Sequence, residues 1–156
     1  MRYDVHIHEG GGAMKEKPVY KSQCYCMNLR RAANAVTDYY DAVLKDLGVS
    51  VSQFSLLLNL ARMETANTSE LAERVNLDRS TLVRNLKPLL ERGLILDFAR
   101  EGARSHKFAV SETGQALLEK GIPQWEHAQE TVKDYLSPED TETLLRLLRK
   151  LHELSV

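Results

Sequence analysis

The chain has 156 residues, 43% of them hydrophobic and 28% charged, with 21 basic and 22 acidic side chains and a formal net charge of −1. That size bounds it to one compact domain, or one domain with an extra helical layer. No apolar run reaches the roughly 20 residues of a membrane span, the N-terminus lacks the apolar core of a secretion signal, and Cys24 and Cys26 stand too close for a disulfide framework, so a cytoplasmic chain with reduced thiols is expected.

Residues 1–20 show no hydrophobic periodicity, and Gly10-Gly11-Gly12 interrupts any element there, which predicts a mobile tail. His6-x-His8-Glu9 is at most a partial metal site. Met14 is a second candidate start, because Glu-Gly-Gly just upstream can be encoded by a purine-rich run resembling a ribosome-binding site. From 22 to 47 a long helix is predicted: Cys26, Leu29, Ala33, Val36, Tyr40, Val43, Leu44 and Leu47 follow three-and-four spacing, and Gly48 ends it. Its apolar side is broad and rich in small residues (Ala32, Ala33, Ala35), which suits contact with more than one helix. Cys24 and Cys26 lie about 200° apart on it and face different neighbours. Ser50-x-x-Gln53 is a capping box that opens a helix from Val51 to Met63, with Phe54, Leu57, Leu58 and Ala61 as its buried side. Glu64 to Asn67 is a polar connection.

The stretch from Asn67 to Gly93 is the most informative. Asn67-x-x-Glu70 reads as a second capping box, with Thr68 an alternative N-cap, and Leu71, Ala72 and Val75 form one edge of a short helix. Asn76-Leu77 is a turn. Asp78 then caps a second helix with Leu82, Leu86, Leu89 and Leu90 on its apolar edge and Arg79, Ser80, Thr81, Arg84, Asn85 and Lys87 elsewhere. A short helix, a tight turn and a longer helix with a donor-rich start make a helix-turn-helix. Pro88 removes a backbone donor to the carbonyl of Arg84, so any kink falls after the donor-rich turns. Charge is concentrated here as well. Residues 76–107 carry seven basic against four acidic side chains, a net of +3, which leaves −4 for the rest.

Gly93 stops that helix. Leu94 to Phe98 and His106 to Val110 read as two strands, with Ala99 to Ser105 as the loop between them. A hairpin carrying Arg100 and Arg104 directly after a recognition helix is a wing, and arginines there suit the negative potential of a narrow minor groove. Ser111 is expected to cap the next helix, running to about Tyr135, with Pro123 predicting a bend or two segments. Ser137-Pro138-Glu139-Asp140 signals a further start: N-cap, proline at the first position, acids in the first turn. Leu144, Leu145, Leu147, Leu148, Leu151 and Leu154 follow, a stripe wider than one intramolecular contact needs. The first and last helices are therefore expected to form a dimerisation layer.

This order of elements resembles the MarR family of winged-helix transcriptional regulators. The likeness is carried by Val51-Ser52-Gln53-Phe54, Ser69-Glu70-Leu71-Ala72, Asp78-Arg79-Ser80-Thr81-Leu82-Val83-Arg84, Leu89 with Glu91-Arg92-Gly93-Leu94-Ile95, and Val110-Ser111-Glu112-Thr113-Gly114, across about 130 residues. One departure stands out: the family's wing usually has Asp-x-Arg, whereas Gly102-Ala103-Arg104 keeps only the arginine, in a loop about one residue shorter. The resemblance implies a homodimer on a pseudo-palindromic operator, often a repressor that lets go of double-stranded DNA when a small aromatic or phenolic ligand binds near the dimer layer. It implies no cofactor beyond such an effector.

The expected fold is mainly α with a small two- to three-stranded β-wing. Residues 21–156 form one unit, with a DNA-binding lobe over 50–112 and dimerisation helices over 21–48 and 113–156. Ser80, Thr81, Arg84 and Asn85 are assigned to base edges, Arg79 and Lys87 mainly to phosphates, and Thr68, Arg100 and Arg104 complete the DNA-binding set. Tyr39, Tyr40, Phe54, Trp125 and His127 are candidates to line an effector pocket between the first, second and fifth helices, although aromatics at helical spacing are more often core. Cys24 and Cys26 raise thiol sensing as an alternative. A Gly-rich phosphate loop, a Cys/His metal set and a G-x-S-x-G elbow are all missing from the sequence, which disfavours an enzyme. A protein–protein module on a winged helix is the remaining alternative.

Overall fold

A computed structural model of the chain describes residues 24–99 and 106–154. The expected tail, residues 1–20, the His6-x-His8-Glu9 fragment and the wing arginines Arg100 and Arg104 lie outside the described residues. The elements run α1 (Tyr25–Val43), a 3-10 turn (Lys45–Leu47), α2 (Val51–Met63), β1 (Ala66–Asn67), α3 (Thr68–Val75), α4 (Arg79–Glu91), β2 (Ile95–Asp97), β3 (Lys107–Val110) and α5 (Glu112–His152).

The helix starts are where local chemistry puts them. Ser50 accepts from Gln53 N–H while the Gln53 side chain accepts from Ser50 N–H. Asn67 and Glu70 repeat the arrangement at α3, so Asn67 is the cap and Thr68 is the first helical residue. Each box satisfies donors that a helix start leaves without intrahelical partners. The long first helix is shorter than its periodicity suggested. It ends at Val43, tightens into the 3-10 turn, and stops at Gly48, whose φ of +67° suits glycine.

α2 is the centre of the fold, packing on α3, α4, α5 and β3. Its buried residues are Phe54, Leu56, Leu57 and Leu60, whereas Leu58 and Ala61 are only half-buried. Leu44, Leu71, Leu82, Leu86, Leu89, Ile95, Phe108 and Leu118 close around them. Each fully buried leucine contributes about 1.5–3 kcal/mol through apolar area removed from water.

The sheet has the order β1-β3-β2, antiparallel throughout. Ile95 pairs with Val110, Leu96 with Ala109 and Asp97 with Phe108, while Ala66 and Asn67 pair with Phe108 and Lys107. The polar connection expected before α3 is thus partly a third strand, which ties the entry of the helix-turn-helix to the wing.

The last helical region corrects one expectation. The backbone stays helical through Pro123, and the interruption comes at Ser137 (φ 67°, ψ 158°). Ser137 caps the arm over 138–152 by accepting from Asp140 N–H, as the start signal there predicts. Glu119, whose carbonyl Pro123 cannot bond, is exposed, so water can reach that side of the helix.

Candidate nucleic-acid interface

α4 is held by both ends. At its start the Asp78 carboxylate accepts from Thr81 N–H and from the Ser80 hydroxyl. Those hydrogen bonds, that of Ser80 first, hold its carboxyl well below the usual carboxylate range. At its end Gly93, at φ +65°, donates to Leu90 O while Leu94 N–H donates to Leu89 O. That pair of bonds is a Schellman closure, and Leu89 and Leu94 both enter the core. Arg92 donates to Leu47 O and Gly48 O, tying the C-terminus of α4 to the turn after α1. This basic residue therefore serves the fold, although it was counted above with the charge around the reader. The helix runs unbroken through Pro88.

The face left to solvent carries Arg79, Ser80, Arg84 and Lys87, all exposed. Lys87 reaches Glu91 at 3.8 Å, one turn on, with both side chains well exposed, a weak pair that competes little with a phosphate. Thr81 and Asn85 are half-buried, and Asn85 Nδ2 donates to Thr81 O at 2.9 Å. Both sit nearer the body of the domain than the four exposed residues. Thr68, half-buried, opens α3 beside them in the motif. Sequence reasoning passed over Val83, which is 51% exposed on the same outward side. The available signal was its place off the Leu82, Leu86, Leu89 stripe.

At the base of the wing, β2 and β3 are braced by a second feature that the motifs did not announce. Asp97 Oδ2 lies 2.5 Å from His106 Nδ1, and Asp97 Oδ1 accepts from Ala99 N–H at 2.9 Å. The His106 ring stacks on Phe108, with centroids 6.0 Å apart. Partial burial alone would raise the Asp97 carboxyl, but the bond from Ala99 N–H and then the His106 contact outweigh it and hold the group below its ordinary value. Where the family pattern has an aspartate inside the loop, this chain has an aspartate at its foot.

The match to the family model described as MarR family spans residues 49–100, which takes in α2, the helix-turn-helix and the strand that follows it. The M. tuberculosis transcriptional regulator MosR, solved in complex with DNA, is 30% identical, with 85% of this chain and 100% of that chain covered and a TM-score of 0.70. The chain belongs to the MarR family. It is a DNA-binding transcriptional regulator, not an enzyme. An HTH-type transcriptional regulator of Bacillus cereus is 26% identical over 130 residues, covering 83% of this chain and 87% of the relative. Bordetella bronchiseptica BpsR, whose DNA binding is regulated by 6-hydroxynicotinic acid, shares the fold at a TM-score of 0.77 and 22% identity, with 88% of this chain and 100% of that chain covered.

The other candidate residues of this MarR-family chain are dispersed. Phe54 is 1% exposed and fills the core, where its ring lies against Gly121. Tyr40 is buried in an edge-on contact with the half-buried Tyr39, ring centroids 5.8 Å apart. Trp125 is half-buried against the core, whereas His127, two residues on along α5, is exposed. At about 100° per residue those two face opposite sides of the helix, so the five aromatics do not converge on one surface of the chain. Cys24 and Cys26 are both exposed at the start of α1 and form no disulfide. Among the described residues no helix is long and apolar enough to cross a membrane, and no group of His, Cys, Asp and Glu is arranged for a metal ion.

Proposed function

We propose that two copies of this chain bind a pseudo-palindromic operator, each placing the start of α4 in the major groove, and that the complex acts as a cytoplasmic repressor released by a small aromatic ligand. Residues 50–112 are the DNA-binding lobe, and 21–48 with 113–156 form the layer between the two copies. The observation that carries this is the exposed donor face of Arg79, Ser80, Arg84 and Lys87 on a helix capped firmly at both ends. Arg84 is assigned to a guanine, Ser80 to a neighbouring base edge, and Arg79 and Lys87 to phosphates; Thr68, Thr81 and Asn85 flank them, and Arg100 and Arg104 serve the wing.

The pairing of copies is supported by apolar surface that the single chain leaves uncovered. Leu144, Leu145, Leu147, Leu148 and Leu151 are each 40–51% exposed, as are Met27, Leu29 and Val36 of α1. So much exposed apolar side chain on two neighbouring terminal elements marks an interaction surface. Release by an aromatic acid is supported by BpsR, which shares the fold and responds to such a ligand. Selection from a random duplex pool tests the core of the proposal: an inverted repeat should be enriched, and a pool that stays random would remove it.

A second reading, thiol sensing, is favoured by the exposure of Cys24 and Cys26. Peroxide treatment should then release DNA from the wild type and not from a Cys24→Ser, Cys26→Ser double variant. Equal release, or none, rejects it.

A further inference from the structure

On the outward side of α4 one residue is out of keeping with its neighbours. Val83 is 51% exposed, and Arg79, Ser80, Arg84 and Lys87 are exposed around it. At about 100° per residue these five cover roughly 140° of the helix circumference, and Val83 falls between Arg79 and Lys87. Leu82, Leu86 and Leu89 fill the buried side of the helix, and Val83 is not part of the core. Helix propensity does not favour it either, since a β-branched side chain loses χ1 freedom that the polar straight-chain residues keep. An isopropyl group framed by hydrogen-bond donors needs a partner that is itself apolar and framed by donors and acceptors. In the major groove that partner is the 5-methyl group of thymine, the one apolar group among base edges otherwise read by hydrogen bonds.

We propose that Val83 is a specificity-determining residue: it packs against the 5-methyl of a thymine in each half-site, beside the base pair read by Arg84. This rests on the assignment of α4 as the DNA reader. Arg84 can select a guanine by hydrogen bonding, while Val83 selects a neighbouring thymine and the strand that carries it. Cytosine at that position lacks the methyl group, and adenine presents an amino group in its place.

The operator recovered from the random duplex pool supplies the probe. Each of its thymines is replaced in turn, symmetrically in both half-sites, by deoxyuridine, which lacks only the methyl group. Wild-type protein should bind one of these operators about fourfold more weakly per half-site, the factor expected for one buried methyl. Val83→Ala should bind that operator and its thymine parent alike. The exposed position lets the variant keep its fold, which an unchanged thermal melt checks. An operator with no methyl-sensitive thymine, or a sensitivity that persists unchanged in Val83→Ala, overturns the role of Val83 while leaving α4 as the reader. A pool that enriches no sequence overturns both.

Discussion

Two arginines, one midway along α4 and one capping its C-terminus, are put to different uses. Arg92 is committed to the carbonyls of Leu47 and Gly48. Arg84 is exposed and, among the described residues, has no hydrogen bond or ion pair, so its guanidinium is available to a base. Arg84→Ala should cost about 1–3 kcal/mol on the specific site, read in a gel-shift titration at fixed salt, with a much smaller loss on unrelated duplex. Tyr40 belongs to the fold instead. Burial first, and then the neighbouring Tyr39, raise its phenol above the ordinary value of 10.0. The folded state therefore holds this proton more tightly than the unfolded chain does. Its contribution is complete below pH 10 and is lost as pH rises through the raised value. Chemical denaturation followed from pH 8 to 11 should show stability falling at the alkaline end, and Tyr40→Phe should flatten that fall.

Elements were legible in the sequence wherever a short stretch decides them. The caps at Ser50, Asn67, Asp78, Ser111 and Ser137 each depend on residues within three positions, and all five stand as the sequence implies. β1 is a different case, because Ala66 and Asn67 become a strand only by pairing with Phe108 and Lys107, far along the chain. At Pro123 the backbone angles stay helical, so the proline does not divide the helix and the break falls at Ser137 instead. The interface was half legible. Donor residues can be picked out by type, but Asn85 and Thr81 turn towards the body of the domain and Val83 away from it, which depends on how the helix is seated. The joint between the wing and α5 shows the same limit. Ser111 donates to Gly93 O and accepts from Gly114 N–H, and a Cβ on Gly114 would lie 2.0 Å from Leu94 O. Backbone cannot yield as a flexible side chain can, so Gly114→Ala should destabilise the fold by about 1–3 kcal/mol or more in a urea melt.

For the whole molecule, a net charge of −1 conceals a division of labour. Positive charge gathers on the reader and its wing, and the acidic balance lies in the last helical region. One recognition helix reads only a few base pairs, so useful specificity requires two copies held at a fixed spacing. The leucines of 138–152 and the exposed start of α1 are the surface proposed for that pairing. A charge placed there, as in Leu148→Glu, would have to be buried without a partner, which should part the copies and remove operator binding while leaving the helix-turn-helix folded. The most direct measurement is the number of chains bound to the selected operator by sedimentation, together with the affinity for the full inverted repeat against a single half-site. Two chains per duplex are predicted, with binding to the repeat far tighter than to the half-site; one chain per duplex, with the same affinity for both, would contradict the account.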